Sequence, residues 1–218
     1  MSQTSVQSPS VRKPAASTVI ALRICDLCIA VPMALIFAVP MLVAALAIWL
    51  EDRDAVLFKQ VRVGQGTRPF KIFKFRTMYT DKSRLMGDEY KGAPSQEARA
   101  QFQTTTANDS RITKVGKVLR PTHMDELPQL LNVVLGHMSL VGVRPDVPVQ
   151  EADYTPEVWQ ERHLLRPGIT GFAQVDPAVV VTEQRTEQDL RWVRNASVAA
   201  YFQTLLKTVT KVLKRNSL

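Results

Sequence analysis

The 24 residues from Leu27 to Leu50, LCIAVPMALIFAVPMLVAALAIWL, contain no charged side chain. As a helix rising about 1.5 Å per residue, such a run is long enough to cross the roughly 30 Å hydrocarbon layer of a bilayer. A single span is the simplest reading, and two features compete with it. Pro32 and Pro40 lie inside the run. Each lacks an amide hydrogen and crowds the carbonyl four residues back, and in lipid such breaks persist where the freed carbonyls find partners, often at a bend. The flanks are also basic on both sides. Arg12, Lys13 and Arg23 precede the run; Lys59, Arg62, Arg68, Lys71, Lys74 and Arg76 follow it, beyond a small acidic patch at Glu51, Asp52 and Asp54. Positive charge favours the cytoplasmic side, so a segment that bends and returns satisfies both flanks. From the residues alone the spanning and the re-entrant readings stand level.

Upstream, residues 1–17 are rich in Ser, Gln, Val and Pro and read as a disordered tail. They do not form a signal peptide, since the apolar stretch is too long and no small-residue cleavage site closes it. Cys25 and Cys28 are the chain's two cysteines. A lone C-x-x-C has no second pair to complete a zinc site, and at the mouth of an apolar block it reads as packing. Over all 218 residues, 28 Lys+Arg stand against 20 Asp+Glu, a formal charge of +8. That balance suits an anionic partner, whether nucleic acid, acidic lipid or a phosphorylated substrate, without choosing among them.

Downstream, Val56, Phe58, Val61 and Val63 are apolar with polar residues among them, Gly64–Arg68 supplies a turn, and Phe70, Ile72, Phe73 and Phe75 resume the apolar pattern. This predicts a β-hairpin, with Gly64-x-Gly66 as a plain turn. Residues 80–109 are polar and predict an exposed excursion with a short helix around Gln96–Phe102. Helical spacing over Ile112–Leu119 and over Leu127–Leu135, the latter stopped by Gly136, predicts two more helices. Pro145, Pro148, Pro156 and Pro167 predict a loop-rich stretch with short helices. Val198, Phe202, Leu205, Leu206, Val209, Val212 and Leu213 then mark one stripe of a helix that carries Lys207, Lys211, Lys214 and Arg215. Such a basic amphipathic helix fits either an anionic membrane surface or its own core; the apolar block upstream favours the membrane.

The chemistry is concentrated in Pro121-Thr122-His123-Met124-Asp125-Glu126-Leu127-Pro128-Gln129. Pro128 is tolerated in a helix's first turn, which puts Asp125 and Glu126 near a helix N-terminus. Partial positive charge there keeps a carboxylate ionised and also attracts phosphate. In isolation, ordinary capping is the favoured reading of such a pair. Neighbours on a helix do not face the same way, so two working acids would have different roles. Arg120, and Arg144 in a Gly/Pro-limited loop, can clamp phosphate oxygens, as a forked guanidinium binds two at once, though on their own both read more often as surface charges. His123 and His163 lack the paired spacing of metal ligands and read as structural or solvent-facing. The chain has no Walker motif, nucleophile elbow or H-E-x-x-H.

Taken together, Arg23-Ile24-Cys25-Asp26-Leu27, Phe70–Met78 (FKIFKFRTM), Arg111–Gly116 (RITKVG), Asp125–Val133 (DELPQLLNV), Met138–Gly142 (MSLVG) and Arg166–Gly171 (RPGITG) resemble the bacterial sugar transferase family of monotopic polyprenyl-phosphate phosphoglycosyl transferases. The resemblance runs from about Arg23 to the C-terminus. It implies a helix-dominated α+β fold: a re-entrant membrane helix over 18–50 bent near Pro40, a small β-hairpin, a cytoplasmic catalytic domain over 51–196 with interfacial amphipathic helices, and a basic helix over 197–218. The implied reaction passes a phosphosugar from a UDP-sugar to undecaprenyl phosphate. Asp125 is then the nucleophile, Glu126 helps Asp125 to hold Mg2+, and Arg120, Arg144, Lys74 and Arg76 bind the phosphates of the nucleotide-sugar. The partners are the donor, the polyprenyl carrier and membrane lipid, with no nucleic acid, a homo-oligomer being compatible; the implied place is the cytoplasmic face of a bacterial inner membrane. At the bend, Val39-Pro40 stands where the family carries Ser-Pro, so the polar half of the break is missing, and two further positions depart from the family pattern. Val143 replaces the first proline of Gly-Pro-Arg-Pro, which is expected to loosen the loop around Arg144, and His137 replaces the acid of Gly-Asp-Met-Ser. Rival readings are a tethered module binding acidic lipid or nucleic acid, and a catalytically degenerate scaffold.

Overall fold

The computed structural model describes residues 14–79, 109–179 and 181–215. Of the disordered tail expected over 1–17, residues 1–13 lie outside the described residues, as does the helix expected around Gln96–Phe102, while Ala16 and Ser17 are already helical, continuing the apolar block.

The apolar block forms two helices, α1 (Ala16–Ile36) and α2 (Ala38–Asp52), that meet at Phe37. Pro32 sits within α1 without ending it. The break is Pro40's work: it has no amide hydrogen for the Ile36 carbonyl four residues back, and its ring crowds that oxygen. The Phe37 amide still bonds to the Met33 carbonyl at 2.9 Å, and Met41 to that of Phe37 at 2.9 Å. The bend therefore falls one turn ahead of the proline. Among the described residues only α1 is long and apolar enough to cross a membrane.

Both ends of this pair are fastened to one body. On α1, Arg23 donates to the carbonyls of Val133 and Val134 at 2.6 and 2.9 Å. Asp26, 1% exposed, accepts from Ser139 Oγ, the Leu140 amide and Tyr201 Oη at 2.8–2.9 Å. On α2, Glu51 accepts the amides of Lys114 and Val115 at 2.7 and 3.1 Å. Asp52 pairs with Arg76, with both Nη atoms at 2.5 Å. Between these anchors the surface is apolar and open: Leu35 is 73% exposed and Leu42 69%, with Ile36, Val39, Val43 and Leu46 alongside.

The expected hairpin is β1 (Leu57–Val63) antiparallel to β2 (Pro69–Phe75), joined by a turn in which Gly66 takes φ +64°. Two short helices follow, α3 (Lys114–Leu119) and α4 (Gln129–Val134). Thr113 caps α3 through a bond from the Gly116 amide at 2.8 Å. A second sheet, not expected from sequence, pairs β3 (Ser139–Val141) in parallel with β4 (Gly168–Thr170). A Cβ on Gly142 would stand 2.5 Å from the Arg166 carbonyl, so the chain passes there only as glycine. The proline-punctuated stretch holds a 3-10 turn over Pro148–Asp153 and α5 (Pro156–Arg162), as expected. After the one-turn α6 (Phe172–Val175) come α7 (Thr182–Asn195), which sequence reading missed, and α8 (Val198–Arg215).

The main core gathers Leu22 and Ala30 of α1, Ile72 of β2, Leu130 and Val133 of α4, Met138, Leu140, Val141, Val143, Trp192 and Tyr201. A smaller one joins Ala44 and Ile48 of α2 to Phe75 and Leu119. The outcome for α8 is instructive. Its buried face carries Tyr201 and Thr204, while most of the predicted apolar stripe, Phe202, Leu206, Val209 and Leu213 included, is exposed.

Candidate active site

Asp125 and Glu126 lie in a 3-10 turn (Met124–Glu126) that leads through Pro128 into α4, one turn further from the helix start than the sequence reading placed them. The residue that enters this turn, His123, has φ +56°. That left-handed backbone is strained for a residue with a side chain and reverses the chain just before the acids. His123 itself is exposed.

The hairpin supplies the opposing wall. Register pairs Phe58 with Lys74, Gln60 with Ile72 and Arg62 with Phe70. By strand alternation these six side chains share one face. Ile72 enters the main core and Phe70 packs against it. Lys74 extends to Glu126, Nζ to Oε1 at 2.6 Å, with both side chains half-buried. The buried Asn132 of α4 fixes the alignment, accepting from the Phe73 amide at 2.9 Å and donating to the Lys71 carbonyl at 2.8 Å.

The two acids are driven apart electrostatically. Burial, and then the neighbouring Glu126, push Asp125 above the usual carboxylate range, against the pull of Lys74 and Arg120. Burial also presses on Glu126, but the Lys74 ammonium outweighs it, with help from Arg144 and His123, and Glu126 is held low. The direction for Asp125 runs against the ionised carboxylate expected at a helix N-terminus, because the acid precedes α4 by a turn and is partly buried. Arg120 is thus near enough to act on Asp125, and Arg144, exposed at the tip of its loop, on Glu126.

Arg76 is not part of this group. Its Nε donates to the Ala55 carbonyl and its Nη atoms hold Asp52 and approach the Met78 carbonyl at 3.5 Å. These bonds spend its donors inside the protein, so it fastens α2 to the hairpin instead of clamping phosphate. His163 is buried, with Nδ1 2.7 Å from the Trp159 carbonyl, in the structural role expected. His137 is exposed and leans on Phe70.

The loop carrying Arg144 is tied down despite Val143. Val143 is buried and its carbonyl accepts from the Gly168 amide at 2.8 Å. The Asp146 carbonyl accepts from the Val63 amide at 2.9 Å, and the Asp146 carboxylate pairs with Arg162 at 2.9 Å. Arg162, with a fully buried side chain, also bonds to Asp189 at 2.6 Å. Arg62 is a further neighbour of the site, not expected from sequence. It donates to the Pro145 carbonyl at 3.0 Å and to Gln60 Oε1 at 2.5 Å. The available signal was its place on the Ile72 face of an alternating hairpin.

Among the described residues no three His, Cys, Asp or Glu side chains gather into a metal cage. Two adjacent carboxylates beside Lys74, Arg120 and Arg144 nevertheless match how Mg2+ is usually held, by one or two carboxylates plus substrate phosphate oxygens.

Two acids set against a lysine, with arginines at the rim and an apolar helix pair beside them, form an arrangement suited to an enzyme that handles phosphorylated substrates at a membrane. The chain belongs to the bacterial sugar transferase family, which residues 17–215 match, and is a transferase. It is 37% identical over 193 residues to the exopolysaccharide production protein PSS of Rhizobium leguminosarum bv. phaseoli, covering 83% of this chain and 89% of that one. It is 37% identical over 199 residues to the UDP-glucose:undecaprenyl-phosphate glucose-1-phosphate transferase of Caulobacter vibrioides, covering 88% and 69%. It is also 37% identical over 191 residues to the UDP-N-acetylgalactosamine-undecaprenyl-phosphate N-acetylgalactosaminephosphotransferase of Aeromonas hydrophila, covering 85% of this chain and 41% of that one.

Proposed function

We propose that this protein transfers a phosphosugar from a UDP-sugar to undecaprenyl phosphate, with Asp125 as the nucleophile, at the cytoplasmic face of a bacterial inner membrane. The observation that carries the proposal is the adjacent acid pair in the turn before α4, with Glu126 bonded to Lys74 of the hairpin at 2.6 Å and Arg120 and Arg144 close by. The relatives' names support the donor and acceptor classes.

An Asp125 oxygen attacks the phosphorus bearing the sugar. The bond from that phosphorus to the UMP oxygen breaks, UMP leaves, and an aspartyl phosphosugar remains. An oxygen of undecaprenyl phosphate then attacks the same phosphorus and the Asp125 carboxylate leaves. Carboxylate meeting diphosphate is anion against anion, so Arg120, Arg144 and Lys74 lower the barrier by offsetting negative charge where it builds. Asp125 and Glu126 are the residues that would hold Mg2+, which when bound would add further charge neutralisation on the phosphates.

The two anchored ends of the α1–α2 pair support a re-entrant insertion. Leu35, Ile36, Val39, Leu42, Val43 and Leu46 form the exposed tip. At about 1.5–3 kcal/mol for each large side chain buried, lipid burial of six favours insertion by roughly 10 kcal/mol. That exceeds the few kcal/mol of one weakly satisfied carbonyl at the bend. The exposed face of α8 fits the same lipid boundary.

The test is Asp125→Asn, assayed by UMP release over a panel of UDP-sugars. Turnover is expected to drop by about 10³-fold or more, and donor labelled in the sugar should leave label on the wild-type protein alone. Undiminished turnover in the variant would remove Asp125 from the mechanism. No turnover by the wild type with any donor would favour the degenerate scaffold.

A further inference from the structure

We propose that Arg62 is a positioning residue for this reaction: it ties the Arg144 loop to the hairpin, so that Arg144 and the Lys74–Glu126 pair meet one phosphate from fixed places. The inference rests on the proposed function and adds a residue to it.

Arg62 and Lys74 stand on the same face of the hairpin, one on each strand. Lys74 reaches Glu126 and Arg62 reaches the Pro145 carbonyl, the residue after Arg144. Gln60, two residues away on the same strand face, holds the other arm of the Arg62 guanidinium at 2.5 Å and sets its plane. The next residue along β1, Val63, bonds through its amide to the Asp146 carbonyl at 2.9 Å. Two successive residues of β1 thus hold the two residues that follow Arg144. A single rigid hairpin carries both halves of the charge arrangement, and their spacing is set by strand geometry.

Electrostatics argues the same way. Burial and the nearby Arg144 hold the Arg62 guanidinium down to about 10, with Asp146 and Glu126 pulling the other way. Keeping two like charges close, one of them half-buried, costs stability in the empty protein. An arriving phosphate lowers that repulsion, which is the behaviour of a site preorganised for an anion.

The experiment is a double-mutant cycle on the full chain in detergent or native membranes, using the UDP-sugar that turns over in the donor panel. Arg62→Met is expected to lower kcat/KM by about 10- to 100-fold, the scale of misplacing a charged group by an ångström. The double variant Arg62→Met/Arg144→Met is expected to be no worse than Arg144→Met alone, since Arg62 acts through Arg144. Gln60→Leu loosens the same fork without leaving a lost charge. It should give a smaller loss that also vanishes in the Arg144→Met background, and it serves if Arg62→Met folds poorly. Losses that multiply in the double variants would overturn the proposal, as would single variants within twofold of wild type. In either case an inactive Asp125→Asn leaves the reaction reading standing, whereas an active one removes that reading instead.

Discussion

Lys74 and Glu126 meet at 2.6 Å in a half-buried setting, where a charged hydrogen bond is stronger than on an open surface. Removing one partner leaves the other charge uncompensated. Lys74→Met is therefore expected to lower kcat by about 10- to 100-fold. The Lys74→Met/Glu126→Gln double variant should be scarcely worse than the poorer single one, because the two act as a unit. Initial rates of UMP release check both; a double loss equal to the product of the single losses would mean that the residues work separately. The acids and Lys74 could be found in the sequence because they sit inside motifs. Arg76 sits in such a motif too, yet its donors go to Asp52, a residue 24 positions earlier. Local sequence does not state which distant carboxylate claims a cation, and Arg62 was missed for the same reason: its partner is the carbonyl of Pro145.

At the scale of elements, the far end of α2 is locked by two carboxylates. Burial alone would raise Glu51, but the Lys114 and Val115 amides and the Tyr79 hydroxyl outweigh it and hold the group low. Asp52 is held low chiefly by its hydrogen bonds from Arg76. Carboxyls with lowered values stabilise the fold above the unfolded-chain range, and that contribution disappears as pH falls through their folded values. Thermal stability of the detergent-solubilised protein is thus expected to decline below about pH 4. Glu51→Ala removes a cap at the start of α3, worth about 1 kcal/mol. At neutral pH it should lower Tm by about 2–4 °C, and the gap from wild type should close on acidification. A gap that stays constant from pH 7 to pH 3 would deny Glu51 this role. Elements with a dominant hydrophobic period, the hairpin and α1 through α4, were readable in advance. The missed helix α7 has little apolar stripe to read. Only Trp192 and Val193, near its end, enter the main core, and the helix is further tied by ions, Asp189 to Arg162 and Arg194 to Glu161, whose partners lie 27 and 33 residues away. The β3–β4 pair was hidden by its length, since three-residue strands are too short to show alternation.

The whole molecule turns on whether the apolar pair returns to the side it left. Arg23 and Asp26 secure one end, and Glu51 and Asp52 the other, to a single body. Between Arg23 and Asp52 a straight helix would span roughly 40 Å, whereas both residues bond to elements joined by the Asn132 clamp on β2. Pro40 favours the bend by about 3 kcal/mol, the usual penalty of a proline inside a helix. The anchors supply several charged or buried hydrogen bonds, each worth about 1.5–3 kcal/mol when a charged group takes part, and so exceed the proline term. If the insertion is re-entrant as proposed, Pro40→Ala alone should therefore leave it unchanged, while Pro40→Ala combined with Glu51→Ala and Asp52→Ala should release the return leg. Thiol labelling of intact cells resolves this, with Cys25 and Cys28 changed to serine and a single cysteine placed at Ser10 or at Lys71. In the wild-type background and in Pro40→Ala, neither cysteine should react with an impermeant reagent until the cells are opened. If the two positions label from opposite sides of the membrane in either background, the helix pair is a true crossing and the anchors are weaker than their hydrogen bonds imply.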